Sequence, residues 1–144
     1  MPLISVTRLR IRSLRFLPAF GFHAMRANSQ LRGAVGFEAG ALLPDRRRTF
    51  WTLSCWELAE DIRAYMTTGP HRTAMPKLMQ WCDEASVVNW EQEKPTLPDW
   101  LEADRRMRLE GRPSKVRYPT PEHLGMTFAA PSGLRGATVS RRPR

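Results

Sequence analysis

Eight residues, Thr49–Trp56 (TFWTLSCW), set the first constraint on what this chain can fold into. Read as a strand, they send Phe50, Thr52, Ser54 and Trp56 to one face and Trp51, Leu53 and Cys55 to the other. Each face therefore carries a tryptophan. A strand of this kind belongs in a sheet that is covered on both sides.

The flanking periodicities supply the rest of that sheet. Leu3–Arg12 (LISVTRLRIR) alternates, with Leu3, Ser5, Thr7, Leu9 and Ile11 on one face and Ile4, Val6, Arg8, Arg10 and Arg12 on the other. Phe16, Phe20, Ala24, Ala27 and Leu31 recur at helical spacing, Pro18 suits a first turn, and Gly33 is a stop. Gly36–Leu43 reads as a short strand and Pro44–Arg48 as a polar turn. After the tryptophan-bearing strand, Glu57, Glu60 and Asp61 crowd a helix start, where the macrodipole favours acids. Leu58, Ile62, Tyr65 and Met66 give that helix its buried side. The TTGP at 67–70 breaks it, and Pro70 opens a second piece, His71–Trp81, in which Pro76 predicts a kink or a restart. Ala85–Glu91 is the last strand.

The order β-α-β-β-α-β predicts an α+β fold of the ferredoxin-like kind, a four-stranded antiparallel sheet with its helices on one face. The other face needs a cover, and a second copy of the chain is the simplest, which predicts a homodimer. Residues 1–93 make up this domain. Residues 94–111 hold a linker (EKPTLP) and a C-terminal helix, Asp99–Glu110, docked weakly by Trp100, Leu101 and Met107 and stopped at Gly111. From Arg112, proline, glycine, serine and arginine dominate without periodicity, which predicts a basic extended or disordered tail over 112–144.

Charge and cysteines narrow the function classes. The net charge is +9 and the pI about 10.9, which favours anionic partners. No recognition motif accompanies the charge, so specific nucleic-acid binding is not expected. Residues 1–37 hold six arginines and no acid, like a transit peptide, but the strand alternation places them in the fold. No apolar run is long enough for a membrane span. Cys55 and Cys82 have no CxxC partner, which fits inert thiols in a reducing cytoplasm. There is no GxGxxG loop, P-loop, HExxH pair or GxSxG elbow.

The residues left for chemistry are few. His71 follows the helix break and could act as a base, a donor or a ligand. Trp51 and Trp56 could stack on a flat apolar ligand, although both could equally be core. Tyr65 and Asn89 could hydrogen-bond a substrate oxygen or be satisfied within the fold. Arg8, Arg10 and Arg12 cannot be buried unpaired, so they sit at the solvated rim or meet carboxylates of a ligand or of Asp and Glu. His23 reads as structural and His123 falls in the tail.

CWE at 55–57, an aromatic at the far end of the following helix (Tyr65) and TGPH at 68–71 resemble the dimeric α+β barrel superfamily, which includes the antibiotic-biosynthesis and heme-degrading monooxygenases. FWTLSCWE with CDEASVV at 82–88 is similar to its spheroidene-monooxygenase-like branch. The resemblance covers about residues 3–92. It implies two sheets face to face in a dimer and a pocket for a small hydrophobic molecule. The implied chemistry is a monooxygenase-like oxidation without a cofactor, with heme binding or non-catalytic ligand binding as alternatives. In that frame His71 and Tyr65 are the catalytic candidates, and Trp51, Trp56, Asn89, Arg8 and Arg10 the substrate-binding ones. The heme-degrading members carry their ligand histidine about one turn further along the helix, near Met75 here, so that carry-over is imperfect. An Arg-rich tail engaging an anionic surface is the third reading.

Overall fold

The computed structural model describes residues 1–132 and 136–143. Its strands are β1 (Leu3–Ile11), β2 (Phe37–Asp45), β3 (Thr49–Trp56), β4 (Cys82–Glu91), β5 (Arg112–Pro113) and β6 (Ala137–Ser140). Its helices are α1 (Leu17–Arg32), α2 (Ala59–Met66), α3 (Gly69–Trp81), α4 (Trp100–Glu110) and α5 (Pro121–Gly125). The first four strands stand in the order β4-β1-β3-β2, all antiparallel, as the β-α-β-β-α-β reading requires. The sheet has six strands rather than the four expected, because β5 adds to β4 at one edge and β6 to β2 at the other.

Three local differences have physical causes. The expected restart at Pro76 does not occur: α3 is continuous from Gly69 to Trp81. The proline removes one hydrogen bond to the Arg72 carbonyl, and because Pro76 is exposed, water can take that carbonyl. Strand β4 begins at Cys82, directly after α3, rather than at Ala85. That places Asp83 and Glu84 inside the sheet, with Glu84 opposite Arg10. The tail is docked over its described residues, where it bears two strands, a short helix and the buried side chains of His123, Phe128 and Val139. For residues 133–135 and 144 the expectation of a disordered tail lies outside the described residues.

The two faces of the sheet are buried by different parts of the chain. On the helix side, Trp56 packs with Leu3, Phe37, Leu31, Ile62 and Tyr65, and Ile11 with Phe20, Cys82 and Ala85. On the opposite side, Ile4, Val6, Trp51, Leu53 and Val88 pack against Trp100, Ala103 and Met107 of α4 and against Phe128. Trp100, Ala103 and Met107 are spaced three and four apart, the seam of one helix face. Leu101, named as a docking residue from the sequence, points to solvent. The weak docking expected of this helix is corrected, since its whole inner face is buried. Asp99 caps it, its Oδ1 accepting from Glu102 N–H at 2.8 Å.

Candidate functional site

The sequence candidates separate into two groups, one on each side of the sheet. Trp56, Tyr65 and His71 come together on the helix side. Trp56 ends β3 fully buried, and its Nε1–H donates to Ser54 Oγ at 2.9 Å. Its ring centroid is 5.4 Å from that of Tyr65, which in turn is 4.7 Å from that of His71. Tyr65 donates its hydroxyl to the Ala27 carbonyl of α1 at 3.1 Å. Burial raises its pKa, so it is a neutral donor.

His71 is held at the α2–α3 break by Gln30 of α1. The Gln30 amide donates to the carbonyls of Tyr65 and Thr68 at 3.1 and 2.9 Å, and its Oε1 accepts from His71 N–H at 2.9 Å. The break turns at Gly69, whose φ of +57° is a conformation that favours glycine. The His71 ring is half-buried, with Nδ1 3.3 Å from the Met66 carbonyl. A carbonyl only accepts, so Nδ1 carries the proton and Nε2 keeps its lone pair. Among the described residues Nε2 has no hydrogen-bond partner. Burial lowers the imidazole pKa, against a smaller opposing effect of the Met66 carbonyl. The outcome is a neutral imidazole with a free basic nitrogen beside the Tyr65 ring.

Arg8, Arg10 and Trp51 lie on the other side. The solvated-rim default for the arginines is corrected for Arg8, which is 3% exposed and donates to Glu84 Oε1 at 2.7 Å. Its guanidinium carbon sits 4.2 Å from the Phe128 ring centroid and 5.9 Å from that of Trp51. Arg10 is half-buried between Glu84 Oε2 at 3.4 Å and Asp83 Oδ2 at 3.5 Å. Arg12 stacks on Phe16 and Tyr118 and donates to the Gln80 carbonyl at 2.7 Å. The carboxylates that these arginines meet are thus the chain's own. For Glu84, burial works against the charge, but the hydrogen bonds from Arg8 and Thr120 and the two guanidiniums outweigh it, holding its pKa below the usual carboxylate range. Burial lowers the pKa of Arg8, whose guanidinium nonetheless stays protonated.

Sequence reasoning missed Glu84, Asp83, Thr120 and His123. Thr120 donates to Glu84 Oε2 at 2.8 Å. His123 is buried, its Nδ1 accepting from Ala85 N–H at 3.3 Å and its Nε2–H donating to the Ser114 carbonyl at 2.8 Å. The signal for the acids was CDEAS: continuing the alternation of β4 backwards puts Glu84 on the face of Arg8 and Arg10. Asn89 lies opposite Ser5, on the helix-side face, and is exposed. Burial pushes the Cys82 thiol up to about 12 and also raises Cys55, so neither is a nucleophile at neutral pH. A cleft of about 330 Å³ lies elsewhere, at the C-terminal end of α1, between Arg32, Arg141, Arg142, Glu57 and the 33–36 loop, and none of the sequence candidates lines it. No cluster of potential metal ligands occurs among the described residues.

No family model matches the chain, and no curated protein is significantly similar to it. Solved structures are similar in fold. A Nitrosomonas europaea protein provisionally assigned as an antibiotic biosynthesis monooxygenase superimposes with a TM-score of 0.58 at 15% identity, over 66% of this chain and 93% of that one. Rv0793 from Mycobacterium tuberculosis gives 0.58 at 7% identity, over 65% and 97%. A point mutant of SnoaB, a cofactor-independent oxygenase from Streptomyces nogalater, gives 0.52 at 18% identity, over 67% and 97%. The chain therefore shares its fold with the antibiotic-biosynthesis-monooxygenase proteins. These structures do not single out the spheroidene-monooxygenase branch. Each match spans nearly all of the other protein and about two thirds of this one.

Proposed function

We propose that this protein is a small monooxygenase-like enzyme that acts without a cofactor on a flat, electron-rich apolar substrate. The observation that carries the reading is the His71 imidazole, with Nδ1–H fixed on Met66 O and Nε2 free. The cofactor-independent oxygenase SnoaB on the same fold supports it. Tyr65 is the aromatic neighbour of the imidazole, with the buried Trp56 packed behind it. Nε2 takes a proton from an activated ring methylene, and the carbanion adds to dioxygen with formation of a C–O bond. The imidazolium returns its proton to the peroxide. Loss of water then leaves a ketone, so that substrate CH2 plus O2 gives C=O plus H2O. The substrate provides all four electrons, and the protein provides binding, exclusion of water and the base.

Heme, which the resemblance also implies, finds one of its two requirements here. His71 offers a donor nitrogen, but Arg8 and Arg10, the expected partners of the propionates, lie across the sheet and are paired with Glu84 and Asp83. The residues do not make up a heme site. The experiment is oxygen uptake with a panel of anthrone- and naphthol-type compounds. Wild-type turnover is expected, with a loss of roughly 10²–10⁴-fold in His71→Ala while the circular dichroism is unchanged. Substrate binding without oxygen uptake in the wild type, or undiminished turnover in the variant, refutes the reading.

A further inference from the structure

We infer that residues 98–132 and 136–143 are a built-in partner for the sheet, holding the chain as a closed monomer by occupying the surface that a second copy would otherwise take. The inference is independent of the proposed function. It rests on the arm covering the helix-free face and part of both sheet edges. On the face, Trp100, Ala103, Met107 and Phe128 seal Ile4, Val6, Leu53 and Val88. At one edge, β5 pairs Arg112 and Pro113 with Val87 and Ser86 of β4. At the other, β6 runs against β2 from Ala39↔Ser140 to Leu42↔Ala137. Sheets associate by stacking faces or by joining edges, and the arm takes part of each route.

The arm is latched by polar groups. Thr120 donates to Glu84 and His123 bridges Ala85 N–H to the Ser114 carbonyl. Arg108 donates to the Phe128 carbonyl at 2.9 Å and stacks on its ring. Where the arm reaches the β2 edge it passes at Gly136, and a Cβ there would strike the Leu42 carbonyl and the Trp100 indole. The turn into the arm is organised by Gln92, whose amide donates to the carbonyls of Lys94 and Thr96 at 2.8 and 2.7 Å. This short, tied linker returns the arm to its own sheet at a high effective concentration, which a separate chain does not match. With the arm displaced, the sheet would present an apolar face that also carries Trp51 and Trp90, together with two open edges. The same patch on a second copy is a ready complement, as in an isologous interface.

The test is light scattering on the full chain from micromolar to hundred-micromolar concentration. The expected result is one species at the mass of a single chain, 16.6 kDa; a wild-type dimer overturns the inference. The double substitution Ala103→Asp, Met107→Asp is expected to free the arm and give a mass that rises with concentration towards two chains. If that variant loses the circular dichroism of the sheet, Met107→Ala carries the test by hydrogen exchange. Faster exchange confined to 100–128 together with a rise in average mass supports the inference. Faster exchange there without a rise in mass overturns it.

Discussion

The two sides of this sheet are built from the same alternating strands and buried by different means. On the helix side, α1, α2 and α3 rest on aromatic and aliphatic side chains, and the polar groups there meet backbone carbonyls: Tyr65 that of Ala27, His71 that of Met66. On the arm side, an apolar half around Met107 adjoins a charged half in which Arg8, Arg10, Asp83 and Glu84 neutralise one another beneath the tail. On the helix side the His71 Nε2 has no hydrogen-bond partner among the described residues, whereas the charges of the arm side pair with one another. The proposed base therefore lies on the side where no ion pair occurs among the described residues.

The largest expected effect breaks the charged half. Glu84→Ala leaves Arg8 buried beside Phe128 without its carboxylate and is expected to cost about 3–5 kcal/mol of stability in urea unfolding. A cost under about 1 kcal/mol would mean that the arm side tolerates an uncompensated guanidinium, which its burial argues against. A paired measurement compares the two covers directly. Leu31→Ala on the helix side and Met107→Ala on the arm side should each cost about 2–4 kcal/mol, because both side chains are buried. A much smaller loss at Met107 would show that the arm is a peripheral layer.

The smallest effect sharpens the contrast through pH. His71 and Glu84 both have folded pKa values below their ordinary ones. In each case the unfolded chain binds the proton more readily, so stability rises with pH across the window. The His71 contribution is complete above the ordinary value of 6.5 and is lost as the pH falls through the lower folded value. The Glu84 contribution is complete above 4.5 and is lost further down. Urea midpoints against pH should therefore decline in two steps, and His71→Asn should remove the upper one alone. A profile in which His71→Asn leaves the upper step in place would place the histidine in solvent rather than against α1.

Much of the helix side was legible in the sequence. The alternation of Leu3–Arg12 and Thr49–Trp56 assigned the apolar side chains of β1 and β3 to their observed faces. The TTGP break located His71, and Tyr65 was read on the buried side of its helix, where the structure packs it against Trp56. The arm side was less legible. The helix at Trp100 was evident, but its spacing of three and four was too short a pattern to show how deeply it docks. His123 and Phe128 lie in a stretch with no period, and what fixes them is contact with Ala85, Ser114 and Arg8, each distant or irregular in sequence. The Arg8–Glu84 pair joins residues 76 apart.

By itself, then, the sequence determined the first four strands, their order, the faces of β1 and β3 and the requirement that both faces be buried. Periodicity carries that much because it is set by the geometry of one element. Tertiary structure decided what buries the second face, which carboxylates meet Arg8 and Arg10, and that β5 and β6 add to the two edges of the sheet. A pattern of apolar side chains states that water must be excluded, but not which surface excludes it. That choice depends on where a distant segment can reach and on whether its polar groups find partners when it arrives.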